Sequence, residues 1–251
     1  MEEKRTVVIT GGAQGIGRVT AEMMKASGYQ VAVWDADEEA LSEESEKWAS
    51  DPLWMAVACD VSSEDDVQMA VDATIARFGR IDVLVNNAAI HANKELEELE
   101  LSEWRRVIDV NLTGTFLCVR YCAAELKRNR GSVINLCSTR AFQSEAHTEA
   151  YSASKGGIFT LTHALAVSMG PAVRVNCISP GWIDVSAVRK TSASRQEFLR
   201  GEDHSQHPAG RVGKGEDIAR LILFLADPEN SFVTGQNFTV DGGMSVKMIY
   251  C

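Results

Sequence analysis

Short apolar runs alternate with amphipathic stretches along almost the whole chain. Thr6-Val7-Val8-Ile9-Thr10 predicts a β-branched strand that passes through a glycine-rich turn into a helical pattern from Arg18 to Ser27. Gln30 to Asp35 predicts a second strand, Asp37 to Ser50 an acidic helix and Leu53 to Asp60 a third strand. A helix follows over Glu64 to Phe78, with Ser63 and Asp66 spaced as a capping box. Asp82 to Asn86 reads as strand four, Ser102 to about Arg128 as one long helix, and Gly131 to Leu136 as strand five. The helix carrying Tyr151 precedes a sixth strand, Arg174 to Ile178; Asp217 to Ala226 is helical and Asn237 to Val240 is a last strand. Strands alternating with helices at this spacing predict a parallel sheet covered on both faces, an α/β doubly wound fold of the Rossmann type.

In such a sheet, ligands bind outside the carboxyl ends of the strands. The polar residues of interest follow those ends. Gly11, Gly15 and Gly17 allow a tight turn and a close backbone approach to a pyrophosphate, whose charge the N–H groups of the next helix attract. Gln14 and Ile16 belong to the same turn. Asp35 ends the second strand 18 residues after Gly17, where an acid accepts hydrogen bonds from ribose hydroxyls and repels a 2′-phosphate. A helix cap is the alternative for Asp35, and it is the reading given to Asp37.

Tyr151 and Lys155 are spaced to share one helix face. An ammonium beside a phenol stabilises the phenolate, which makes the phenol a usable acid and base near neutral pH. Taken alone, a Tyr-x-x-x-Lys pair is more often an ordinary exposed helix pair.

With Gly11-x-x-x-Gly15-x-Gly17, Asn86-Asn87-Ala88-Ala89, Ser138 thirteen residues before Tyr151, Lys155 and Pro180-Gly181, the chain resembles the single-domain short-chain dehydrogenases/reductases from Thr6 to Gly243. The resemblance implies seven strands in the order 3-2-1-4-5-6-7 and one dinucleotide-binding oxidoreductase domain over residues 1–251, with a substrate loop at about 182–210. It implies a catalytic set of Asn111, Ser138, Tyr151 and Lys155. Ser138 holds the substrate oxygen, Tyr151 exchanges a proton with it, Lys155 binds ribose hydroxyls, and Asn111 bends its helix and positions a water. Asp60 and Val61 fall where the family contacts adenine, Asn87, Ala88 and Ala89 where the chain passes the cofactor, and Pro180, Gly181 and Ile183 where the nicotinamide carboxamide is held. Ala89 stands where glycine is usual, and Val185 where a threonine is common, with Ser186 beside it.

The implied activity is NAD(H)-dependent interconversion of a secondary alcohol and a ketone. Two alternatives stand beside it: a 3-oxoacyl-thioester reductase, and a catalytically silent nucleotide-sensing protein on the same fold. The resemblance also implies a homodimer or homotetramer, in line with apolar residues on more than one face of Thr113 to Lys127 and Ala153 to Met169.

Composition narrows the classes. With 25 Lys+Arg against 35 Asp+Glu the net charge is −10, which disfavours nucleic acid or an anionic membrane as partner. Met1-Glu2-Glu3-Lys4-Arg5 is charged and is not the start of a signal peptide, and no apolar run approaches a membrane span. Six cysteines without a Cys-x-x-Cys or a histidine cluster read as small buried hydrophobes in a reducing cytoplasm, with no metal site. His163 reads as a satisfied structural residue. His91, Arg140, Gln143, His147 and Trp182 are candidates for the substrate mouth, with His204 and His207 in a mobile stretch beyond it, and their polarity favours a small hydroxylated or carboxylated substrate.

Overall fold

The computed structural model describes residues 4–248. Seven parallel strands form one sheet: β1 (Thr6–Thr10), β2 (Gln30–Asp35), β3 (Trp54–Ala58), β4 (Val83–Asn86), β5 (Ser132–Leu136), β6 (Arg174–Pro180) and β7 (Asn237–Val240), in the order β3-β2-β1-β4-β5-β6-β7. This is the expected topology. The helices are α1 (Gly15–Ala26), α2 (Glu38–Lys47), α3 (Glu64–Phe78), α4 (Leu101–Ile108), α5 (Gly114–Arg128), α6 (Glu149–Met169), α7 (Gly201–Ser205) and α8 (Gly215–Ala226).

Strand side chains alternate between two apolar layers. Val8, Ala32, Trp34, Leu84, Val133 and Val175 face α3, α5 and α6. Val7, Ile9, Val31, Val33, Val83, Val85 and Ile134 face α1, α2 and α8. Because both faces are covered, the strands carry near-continuous apolar runs. Trp34 is fully buried and donates its indole N–H to Thr74 Oγ1 on α3 at 3.1 Å, which sets the position of β2 just before Asp35.

Several expectations need correction. The helix expected from Ser102 to Arg128 is broken: α4 and α5 are joined by a π-helical turn, Asp109–Thr113, centred on Asn111. The side chain of Asn111 bonds outside its helix, and its carbonyl accepts the Thr115 hydroxyl at 2.7 Å, so the regular ladder widens there. The capping box on α3 is half formed. Ser63 Oγ accepts the Asp66 N–H at 3.3 Å, but the Asp66 carboxylate takes the Asp60 N–H at 3.1 Å instead of reaching back to the Ser63 backbone. Strand β3 is shorter than expected and β6 longer, reaching Pro180.

The 182–210 stretch is tethered at several points. Ile183–Asp184 forms a short parallel ladder with Gly213–Lys214, Ser186–Val188 makes a 3-10 turn, and α7 sits near its end. His207 is buried there with Nδ1 3.1 Å from the Asp203 carbonyl, and His204 Nδ1 accepts the Val212 N–H. His163 is exposed, with its ring edge-on to Phe159. The five cysteines among the described residues are buried and free; Cys251 lies outside the described residues.

Trp34→Ala should lower the free energy of unfolding by about 3–5 kcal/mol, through lost burial and the hole left behind. Urea titration checks this. A loss under about 1 kcal/mol would mean that α3 collapses onto β2 without the indole.

Candidate active site

At the carboxyl ends of β1, β2, β4, β5 and β6 lies a cavity of about 820 Å³. It is lined along one side by Gly11, Gln14, Gly15, Ile16, Asp35 and Asp60, and along the other by Ser138, Tyr151, Lys155, Pro180, Gly181 and Ile183. Val61, Asn87, Ala88 and Ala89 complete the floor between them. Of the residues expected to act in catalysis or hold the cofactor, Gly17 and Asn111 do not line the cavity.

Gly17 acts from beneath. A Cβ built there would stand 2.1 Å from the Gly11 carbonyl oxygen and 2.7 Å from Asn87 Nδ2, so α1 approaches the turn closer than any other residue permits. Gly11 itself has φ +59°. Asn87 ties this turn to the end of β4: its amide donates to the carbonyls of Thr10 at 3.0 Å and Gly11 at 2.8 Å. Thr10 answers through its hydroxyl, which accepts the N–H groups of Asn87 and Ala88, both at 3.0 Å. Thr10 is a supporting residue that the sequence did not single out.

On the far side, α6 carries Tyr151 half-buried and Lys155 buried. The Lys155 ammonium donates to the Leu136 carbonyl at 2.7 Å and lies 5.4 Å from the centre of the Tyr151 ring. Ser138, two residues further along, is buried and its hydroxyl accepts the Arg140 N–H at 3.1 Å. That leaves the Ser138 O–H free to donate into the cavity. Asn111 braces this wall without entering it. Its amide donates to Ile90 O at 2.9 Å and Ser154 Oγ at 3.0 Å, and its oxygen accepts the Ile90 N–H at 2.8 Å.

Asp35 is buried at the opposite end, with its oxygens accepting the N–H groups of Ala13 at 3.0 Å and Asp37 at 3.1 Å. Burial pushes its carboxyl above the ordinary value, and these N–H donors offset part of that rise. Asp37 caps α2 by accepting the Ala40 N–H, as expected. Burial disfavours the Asp60 anion, but the Arg106 guanidinium at 2.7 Å and the Ser62 donors outweigh it and hold the carboxyl below its ordinary value. Arg106 lines the cavity from α4, 46 residues away in sequence, and no local pattern marked it.

The substrate-mouth candidates separate. His91 lines the cavity; Arg140, Gln143, His147 and Trp182 do not. Arg140 pairs with Glu145, and the Trp182 ring lies 6.3 Å from that of His207. Val185 lines the cavity, but the Ser186 hydroxyl is used inside the loop, accepting the Glu197 N–H at 3.2 Å. Among the described residues, no cluster of side chains could hold a metal ion, and no helix is long and apolar enough to cross a membrane.

A parallel sheet with a glycine turn, a strand-end acid and a Ser, Tyr and Lys set around one cavity defines a dinucleotide-type oxidoreductase fold. The family model described as enoyl-(acyl carrier protein) reductase matches residues 11–245. An uncharacterized oxidoreductase of Thermotoga maritima is 52% identical, over 100% of this chain and 99% of its own. A 3-oxoacyl-acyl-carrier-protein reductase of Chlamydia muridarum is 36% identical, over 96% and 97%. The solved aldohexose dehydrogenase of Thermoplasma acidophilum, in ligand-free form, is 32% identical with a TM-score of 0.87 and covers 99% of this chain and 97% of its own. The chain belongs to the short-chain dehydrogenase/reductase family, oxidoreductases that generally bind NAD(P).

Gly17→Ala should destabilise the protein by about 1–3 kcal/mol or more, since the added methyl meets backbone. It should also weaken dinucleotide binding. Gly156→Ala, on α6 with nothing within 4 Å of the new Cβ, should leave both unchanged or slightly improved. Thermal melts and calorimetric titration of the two variants separate the cases.

Proposed function

We propose that the protein interconverts a small secondary alcohol and a ketone with NAD(H), using Tyr151 as the general acid and base. The observation that carries this reading is that Ser138, Tyr151 and Lys155 line the same cavity as the glycine turn and Asp35. The residues present fit a nicotinamide dinucleotide. Gly11 and Gly17 let the turn pack against the protein more closely than any Cβ would allow, and the turn shares one cavity with Asp35 and Lys155, which offer an acceptor and a donor to ribose hydroxyls. When bound, that cofactor accepts or supplies the hydride.

The chain's own groups handle the oxygen and its proton. Ser138 donates its free O–H to the substrate oxygen, holding it and stabilising charge that develops there. The Tyr151 hydroxyl, which has no hydrogen-bond partner among the described residues, gives the proton in reduction and takes it in oxidation. Lys155 anchors one N–H on Leu136 O and keeps two for ribose hydroxyls. Asn111 keeps the Tyr151 helix in place through Ser154.

The polar mouth residue His91 and the aldohexose dehydrogenase neighbour support a hydroxylated substrate. The enoyl-(acyl carrier protein) reductase model and the Chlamydia reductase favour a second reading, reduction of a 3-oxoacyl thioester. Turnover assays on polyols, hydroxy acids and 3-oxoacyl thioesters with both cofactors discriminate the two. Tight NADH binding with no turnover on any of them would favour a nucleotide sensor instead.

Tyr151→Phe should cut kcat by orders of magnitude while leaving NADH affinity nearly unchanged. Steady-state kinetics beside NADH titration test it; retention of more than about a tenth of kcat corresponds to only ~1.4 kcal/mol and would remove Tyr151 from the role of essential acid.

The wild type should prefer NAD(H) over NADP(H) by about 30- to 1000-fold in kcat/KM, a like-charge penalty of roughly 2–4 kcal/mol at Asp35. Above its raised range the Asp35 carboxyl is ionised and repels a 2′-phosphate; as pH falls into that range it gains a proton and the repulsion fades. The preference should therefore narrow on acidification. Asp35→Asn should show a small preference that no longer varies with pH over the same interval. Equal efficiency with NADPH in the wild type would leave Asp35 only its role of holding the Ala13 and Asp37 N–H groups.

A further inference from the structure

The loop after β6 lies across the glycine turn. Its Val185 Cγ2 comes within 3.8 Å of where a Gly15 Cβ would stand, and the Ser186–Val188 turn contacts α1. Two residues on, the loop is tied to the start of α2. The Lys190 ammonium pairs with Asp37 at 2.9 Å and with Glu39 at 2.9 Å, and the Thr191 N–H donates to Glu43 at 2.8 Å. Asp37 also accepts the Gln14 amide at 3.3 Å, so the same carboxylate joins the loop, the glycine turn and α2.

Between these two attachments stands Arg189, exposed and lining the cavity beside Asp35, Ala36 and Asp37. The other cations that line the cavity are engaged: Arg106 with Asp60 and Ser62, Lys155 with Leu136 O. Arg189 has no hydrogen bond or ion pair among the described residues. It is a guanidinium held at a cavity wall by a pinned neighbour, and the same cavity is lined by the glycine turn whose backbone suits phosphate.

We propose that Arg189 is a cofactor-affinity determinant: its guanidinium pairs with a phosphate of the bound dinucleotide from the loop side of the cavity, and Lys190 holds the loop that presents it. The inference rests on the dinucleotide reading given above. The shared chemistry is a phosphate oxyanion, either the pyrophosphate or the 2′-phosphate of NADP(H). The sequence showed no cation near the ribose because Gln14 and Ala36 are the local residues there, whereas Arg189 arrives from more than 150 positions away.

Calorimetric titration of wild type, Arg189→Ala and Arg189→Lys with NADH, NADPH, ADP-ribose and adenosine tests this. Pairing with the pyrophosphate predicts about tenfold weaker binding of NADH, NADPH and ADP-ribose to Arg189→Ala. Pairing with the 2′-phosphate predicts that loss for NADPH alone. In either case adenosine binding is unchanged, Arg189→Lys recovers part of the affinity, and the loss shrinks in high salt. Binding of NADH, NADPH and ADP-ribose to Arg189→Ala that stays within twofold of wild type for all three overturns the proposal. So does an equal loss for adenosine, since that would mark disturbed loop packing. Failure of the wild type to bind any dinucleotide strikes at the dinucleotide reading itself and is told apart by the wild-type titration alone.

Discussion

The close passage of β1 and β4 at the top of the sheet is the constraint on which the rest of the site depends. Gly17 lets the start of α1 press under the Gly11 carbonyl, and Thr10 and Asn87 then exchange side-chain and backbone hydrogen bonds across the two strand ends. The polar backbone of the turn is thus satisfied from inside the protein while its cavity side stays open. Two further parts of the site are placed relative to that joint: Asp35 through the Ala13 N–H, and the loop after β6 through Val185 over Gly15.

Electrostatics in the cavity follow a division of labour. Its carboxylates, Asp35, Asp37 and Asp60, come from strand ends close to their own helices, where the N–H groups of Ala13, Ala40 and Ser62 support them. Its cations come from far away in sequence: Arg106 from α4, Lys155 from α6 and Arg189 from the loop. A chain with net charge −10 can hold a negatively charged cofactor only if such cations are brought in by tertiary folding.

That division also explains what could be read from the sequence. Strand β7 falls where expected, and so does α3, because apolar periodicity and local capping decide such elements. Tyr151, Lys155 and Ser138 were legible from spacing, and the cavity collects all three. The resemblance implied a bend at Asn111, whereas the local pattern reads as one continuous helix, because the cause of the π-helical turn is an amide that finds Ile90 and Ser154 only after folding. Arg106 and Arg189 were missed because their neighbours at the cavity are met only after folding, and the tethering of the 182–210 stretch rests on contacts with distant residues such as Glu43 and Gly213 that no local pattern announces.

The bond from the Lys155 ammonium to the Leu136 carbonyl has a consequence for how the protein could diversify. Leu136 and Ser138 are two residues apart on one rigid strand end, so the donor hydroxyl and the ammonium share a single mount. Substitutions in the outer loops can reshape the mouth around His91 or Val185 without disturbing that mount. New substrate ranges are then accessible by drift at the rim while the proton-handling centre is inherited intact.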